Sequence, residues 1–269
     1  AYEVNGYLRF DLSGHYSSAD VEYDIGAPHS ENYLQNSTIR PSLTLMNLMD
    51  ERLNIEISYS HTDTRRTGDG GDFFSQNHSY EIFNTFELAD WNTLSFGADV
   101  KKQTSHSSYS PSLRTTRYNE YYMQEQLQFS DRYFLTFGGR YSDHSEFGKH
   151  LTYQIAPAIY IEETGTKIHA SLGTAYRAPS HFELFEPMVD YGWGTIFTGG
   201  DPNFEPETSE SFDIGFDQTL LDGTLEFGLT YFYVETKNKI AYVVTDPMTF
   251  SGGYEQLGFA RSSGIESYL

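Results

Sequence analysis

Leu225, Phe227, Leu229, Tyr231 and Tyr233 fall on one side of an extended run, while Glu226, Gly228 and Thr230 fall on the other. Alternation with a period of two marks a strand with one apolar and one polar face. The pattern recurs where Leu53, Ile55, Ile57 and Tyr59 oppose Asn54, Glu56, Ser58 and Ser60. Leu94, Phe96, Ala98 and Val100 likewise oppose Ser95, Gly97, Asp99 and Lys101, and Leu151, Tyr153, Ile155 and Ile159 oppose Thr152, Gln154 and Ala156. The polar faces carry charges and glycines, which suits a wet or protein-filled lumen better than a dry core.

The links between strands come in two kinds that alternate. Tight connectors are read at Asn47 to Arg52, Ala89 to Asn92, Ser130 to Arg132, Glu162 to Thr166 and Leu221 to Gly223. Long hydrophilic links lie near 14–37, 62–73, 105–117, 142–149, 177–208 and 238–253. Turns at one rim and loops at the other are the layout of an outer-membrane β-barrel. Pro41 and Pro157 fall inside apparent strands, where a missing N–H argues against a central position; bulges in the wall are the expected accommodation.

A mean hydropathy of -0.53 excludes transmembrane helices. It leaves membrane strands open, since each needs only about ten residues of alternating pattern. Aromatic residues make up 16% of the chain, with 22 Tyr and 20 Phe. Trp91, Phe129, Tyr133 and Phe134 lie beside tight turns, and Tyr141, Tyr176 and Tyr233 toward the long links, as two interfacial belts require. The high strand propensity of tyrosine is the competing explanation. A net charge of -21 argues against nucleic acid and anionic lipid surfaces as partners. The absence of cysteine excludes disulfides, a thiol nucleophile and thiolate metal sites. No charged-then-apolar leader precedes the first strand, so any export signal is expected outside this piece.

About twelve strands are expected, from one near 2–13 to one that begins around Glu255. Membrane barrels are closed, and an open edge of that length invites aggregation. The chain reads either as a small barrel of its own or as part of a larger one.

The stretch from 168 to 216 favours the larger barrel. Ile168 to Ser180 reads Ile-His-Ala-Ser-Leu-Gly-Thr-Ala-Tyr-Arg-Ala-Pro-Ser, and Gly199 to Ser211 reads Gly-Gly-Asp-Pro-Asn-Phe-Glu-Pro-Glu-Thr-Ser-Glu-Ser. This resembles the signature of TonB-dependent outer-membrane receptors (siderophore and cobalamin receptors), in which a strand ending in Tyr/Phe-Arg-Ala-Pro precedes an Asn-Pro-Asn-Leu-Lys-Pro-Glu-like turn. Gly138 to Gly148 and Arg261 to Glu266 look like the family's flanking segments. Asp201, Phe204 and Glu205 stand where the family usually has Asn, Leu and Lys, which changes the charge of the loop.

The resemblance implies an antiparallel transmembrane β-barrel of about 22 strands, closed by an N-terminal plug and placed in the Gram-negative outer membrane. Residues 1–269 would then be a partial barrel domain, a mid-barrel fragment without plug or C-terminal strands. The implied function is energy-dependent uptake of a bulky scarce nutrient such as a ferric siderophore or cobalamin, with outer-membrane lipid, TonB (through the plug) and the ligand as partners.

Tyr176, Arg177, Pro179, Pro202, Asn203, Pro206 and Glu207 read as structural members of the motif, with Arg177 set against Glu183, Glu207 or Glu210. Met188, Tyr191, Trp193 and Phe197, among glycines, are the candidate substrate contacts, with packing of the loop on itself as the competing reading. Asp63, Asp69 and Asp72 on a glycine-rich turn offer oxygen ligands for calcium, although the Asp-x-Asp-x-Asp-Gly spacing is absent. No other cofactor is indicated. No catalytic motif appears. Asp143 with His144 gives the runner-up, a barrel protease, and a secreted all-β carbohydrate-binding module is the third reading.

Overall fold

The computed structural model describes residues 1–23, 30–68, 71–110, 112–190, 194–221 and 223–269. The strands are β1 (Tyr2–Val4), β2 (Leu8–Tyr23), β3 (Ser30–Asn47), β4 (Leu53–Gly68), β5 (Phe73–Ala89), β6 (Asn92–Ser107), β7 (Arg114–Phe129), β8 (Tyr133–His144), β9 (Gly148–Ile161), β10 (Thr166–Arg177), β11 (Val189–Asp190), β12 (Ile196–Phe197), β13 (Glu207–Leu220), β14 (Leu225–Asp246) and β15 (Ser251–Tyr268). They form one sheet in which each long strand pairs antiparallel with the next long strand. Short β12 adds in parallel to the outer end of β15. Among the described residues β15 does not pair with β1 or β2, so the sheet is open.

Twelve of these strands are long, as the alternation requires. The first differs from expectation. Residues 2–13 are not one strand, because Asn5 and Gly6 both take positive φ, 55° and 68°, and turn the chain so that β1 pairs back on β2. Val4 pairs with Leu8, so the loop is Asn5 to Tyr7, and Asn and Gly are the residues that most readily take positive φ. The connectors at Met49 to Glu51 and Ser130 to Asp131 use the same left-handed region.

Most of the long polar links prove to be strand. The β4 ladder runs to Gly68 and β5 begins at Phe73; between β8 and β9 only 145–147 lies outside the ladder, and between β14 and β15 only 247–250. Crossing a bilayer takes about 9–11 residues, yet β14 has 22. The surplus stands in water on both faces, so it loses the apolar alternation without losing its backbone pairing. Among the described residues the link at 177–208 is the long excursion. At the prolines the expected bulges are absent. The β3–β4 register runs from Ile39↔His61 to Ser42↔Ser58 without a shift, and β9 keeps one alignment on β10 from Ile168↔Ile159 to Leu172↔Ile155. A proline forfeits one ladder bond, and here the ladder loses that rung without adding a residue.

Burial is inverted relative to a soluble protein. Among the described residues the fully buried apolar side chains are Leu184, Val189, Phe197, Phe204 and Ile240, whereas the buried polar ones include Ser42, Ser58, Asn84, Asp99, Glu120 and Ser142. The apolar strand faces point out: Ile57 is 51% exposed and Leu229 41%. Exposed Trp91, Phe129 and Tyr133 ring the tight-turn rim, while exposed Tyr121 and Tyr153 stand near the middle of their strands. A sandwich would bury these faces against each other.

Candidate functional site

Glu81, Asp99, Glu120 and Ser142 lie side by side on the inner face of β5 to β8. Three adjacent carboxylates repel unless cations interleave. Lys101 Nζ sits 2.6 Å from Glu120 and 2.9 Å from Asp99, and Arg140 is 3.3 Å from Glu120. Arg40 reaches Glu56 at 2.6 Å and Glu81 at 3.6 Å. Hydroxyls complete the strip: Ser79 donates to Asp99 at 2.6 Å, Ser142 to Glu120 at 3.0 Å and Tyr122 to Glu81 at 2.6 Å. The Tyr122 ring also stacks under Arg140, 5.1 Å from its centre. Gly97 makes room for that ring, since a Cβ there would come within 2.5 Å of the phenol oxygen. The outcome is a continuous charged strip from β3 to β8 whose Arg40, Lys101 and Arg140 ends stay open to the lumen.

Above the strip the 178–206 segment folds inward. Pro179 ends β10, and Ser180 starts the short helix His181–Phe185 with a capping box: Ser180 Oγ accepts from Glu183 N at 3.2 Å, and Ser180 N donates to Glu183 at 2.7 Å. Arg177 donates to Glu183 at 3.0 and 3.1 Å and to Glu207 at 2.8 Å. Glu207 in turn accepts from Ile240 N at 2.7 Å. One guanidinium thereby ties together both halves of the motif. Glu210, the third partner considered, stands exposed on the other face of β13.

The helix bridges opposite parts of the wall. His181 is held at 2.5 Å on one ring nitrogen by Ser105 and at 2.5 Å on the other by Thr116. Ser107 donates to both oxygens of Glu186 at 2.8 and 2.9 Å, and Arg114 lies 4.2 Å over Phe185. Leu184, 2% exposed, packs with Phe204 and Ile240, and Phe147, Phe185 and Tyr254 close around them. Burial pushes the Glu183 carboxyl up, but Arg177 and the Ser180 groups outweigh it and leave it below the ordinary range. Burial raises Glu186 despite the Ser107 hydroxyl. Burial lowers His181, with Arg114 adding to the effect against Glu146.

The other candidates scatter. Phe197 is 5% exposed and packs on Phe182 and Tyr254, with ring centres 5.7 and 6.3 Å away, whereas Met188 is 68% exposed. Tyr191, Trp193 and Asp69 lie outside the described residues. Asp201 accepts from the backbone and the side chain of Asn203, both at 2.8 Å, which holds the turn flanked by Pro202 and Pro206. Tyr176 stacks on His150 at 3.8 Å. Asp63 faces outward and pairs with His61 at 2.7 Å, and the backbone N–H of Asp72 donates to Ser108 Oγ at 3.0 Å. Among the described residues no group of three or more His, Cys, Asp or Glu is arranged to hold a metal ion. Asp143 and His144 are consecutive on β8 and so point to opposite faces. His144, 3% exposed, accepts from the backbone of Glu146 and Phe147 at 3.1 and 3.2 Å.

An outward apolar band, an aromatic rim at the tight turns, sorted connectors and a charged inner face define the wall of an outer-membrane barrel. Residues 2–268 match the family model described as TonB dependent receptor-like, beta-barrel. The chain belongs to that family, and its place is the Gram-negative outer membrane. It is 26% identical to the vitamin B12 transporter BtuB of Photobacterium profundum, over 98% of this chain and 42% of that protein. It is 27% identical to the iron-regulated outer membrane virulence protein of Vibrio cholerae, over 62% of this chain and 26% of that protein. It superposes on the siderophore receptor PirA of Pseudomonas aeruginosa with a TM-score of 0.68 at 18% identity, covering 98% of this chain and 57% of that one. The chain therefore spans less than half the length of the curated relatives it matches.

Proposed function

We propose that this chain is a wall segment of a receptor that imports a bulky, scarce nutrient across the outer membrane, with energy delivered by TonB through a plug domain. The observation that carries the reading is the inward 178–206 segment, tied by Arg177 to Glu183 and Glu207 over a charged lumen strip. A loop so anchored narrows the mouth of a polar passage and leaves the apolar band to the lipid. Cobalamin is the first ligand to test, because BtuB proteins of two species align with more than nine-tenths of the chain. A ferric siderophore is the second. Transport is favoured over the barrel-protease reading because the residues of that dyad, Asp143 and His144, are consecutive on β8 and face opposite ways.

The test is uptake by cells carrying the full-length protein in place of their own receptors. Labelled cyanocobalamin should accumulate when TonB is present, stay at the surface when it is deleted, and be recovered unchanged. Accumulation that is independent of TonB, or chemical conversion of the ligand, would sink the reading.

A further inference from the structure

The outward face of β4 to β7 changes character in three tiers. At mid-depth Ile57, Ile82, Ala98 and Tyr121 align across the four strands, with Ile57 51%, Ile82 42% and Tyr121 57% exposed. One step outward stand Tyr59, Tyr80 and Val100, at the level where rings favour the headgroup zone. The next step is His61, His78, Lys102 and Arg117.

Lys102 and Arg117 are directly opposed and exposed. Like charges so placed destabilise a sheet, and neither has an ion-pair partner among the described residues. The contrast with the neighbouring residue is sharp: inward Lys101 contacts two carboxylates, outward Lys102 none. The nearest acids on this face make no ion pair with either cation among the described residues. Asp63 pairs with His61 at 2.7 Å and accepts from Gln76 at 2.8 Å, and Asp143 stands opposite Asn119 and Lys149.

Above the cations lies a cavity of about 540 Å³, lined by Gln35, Asp63, Arg65, Phe74, Gln76 and His106 among others. Phe74 stacks on His106 at 4.8 Å, and Arg65 covers Phe74 at 5.2 Å. An aromatic floor edged by amide, carboxylate and guanidinium groups suits a sugar, whose C–H face packs on rings while its hydroxyls hydrogen-bond around the edge.

We propose that this face binds a phosphorylated glycolipid of the outer leaflet. Its acyl chains lie on the Ile57–Ile82–Tyr121 band, a phosphate sits between Lys102 and Arg117, and its sugar enters the Arg65–Phe74–His106 cavity. The net charge of -21 opposes anionic surfaces for the chain as a whole. This patch is the local exception, and its continuity with the lipid band fixes the occupant as a lipid.

Detergent-solubilised full-length protein is titrated with diphosphoryl lipid A and followed by native mass spectrometry, with dephosphorylated lipid A and phosphatidylglycerol as parallel probes. Wild type should favour diphosphoryl lipid A over both by at least about tenfold. Lys102→Glu with Arg117→Glu should abolish that preference. Arg65→Ala with Phe74→Ala should weaken lipid A and leave phosphatidylglycerol binding unchanged. Arg132→Glu, the same charge reversal on the opposite rim, should bind as wild type. Heat-modifiable migration on gels reports folding, and Lys102→Gln with Arg117→Gln replaces the double Glu variant if that one does not fold. Equal binding of the three lipids by wild type, or undiminished lipid A binding by the charge variants, overturns the proposal.

Discussion

In the wall, Ile57 is 51% exposed while Ser58 beside it is 6%; in the 178–206 segment, Leu184 is 2% exposed and Phe204 7%. One chain thus uses apolar side chains in opposite ways. Wall residues are stabilised by a solvent that is itself apolar, and the lumen they enclose is held by ion pairs. The inward segment has no lipid to meet, so it builds a miniature core of Leu184, Phe204 and Ile240. Hydrophobic burial sets the segment's position, and the backbone ladder together with the bilayer sets the wall. Damage to one should leave the other standing.

Leu184→Ala tests this most strongly. Removing a fully enclosed leucine costs about 2–5 kcal/mol, and here the whole cost falls on docking of the segment. Proteolysis should cut within 178–206 while heat-modifiable migration of the barrel stays unchanged. Loss of the folded barrel would show that wall and segment share one core.

Leu229→Arg is the converse. On the lipid face near mid-depth it should cost about 2–4 kcal/mol, read as a lower midpoint in denaturant unfolding from lipid vesicles. Protection of 178–206 against protease should not change, because Leu229 points away from the lumen.

Arg177→Lys probes the tie between the two regions. Lysine keeps the charge but cannot make the forked contact with Glu183 while also reaching Glu207. The Arg177 side chain is 44% exposed, so solvent screens part of the interaction and the expected loss is about 1–2 kcal/mol. Hydrogen exchange should quicken at Ser180 to Leu184 and at Ile240, whose N–H donates to Glu207. A change confined to the helix would assign Glu207 a separate role.

The two regions were also unequally legible in the sequence. Inside the membrane each strand has two different solvents, so Leu225 to Tyr233 alternate and can be read directly. Beyond it both faces meet water, the alternation fades, and residues such as Thr62 to Arg66 look like loop although their backbone is paired on both sides. The Asn5-Gly6 turn carried a readable signal that the alternation around it obscured. For Arg177 the motif offered Glu183, Glu207 and Glu210, and the guanidinium contacts Glu183 and Glu207. His181 gave no signal at all, because its hydroxyl partners lie 76 and 65 residues away. The strip of Glu81, Asp99 and Glu120 depends on register between strands, which alternation within one strand does not specify.

The smallest expected effect separates the regions by pH. Burial lowers the His181 pKa below its ordinary 6.5, so the docked state holds the neutral ring better than the undocked state does. Docking stability is therefore fully present above 6.5 and declines as the pH falls through 6.5 toward the lower docked value. Glu183, also lowered, adds a loss only below its ordinary 4.5. Glu186, raised by burial, acts with the opposite sign and regains stability as it takes up a proton. Glu186→Gln removes that opposing contribution. In this background, exchange protection of the His181–Phe185 amides, corrected for intrinsic rates, should fall between pH 6.5 and 5. A second substitution, His181→Gln, should flatten the profile. A profile that stays flat across that interval in the Glu186→Gln background would mean that the imidazole stays hydrated, and that Ser105 and Thr116 do not enclose it.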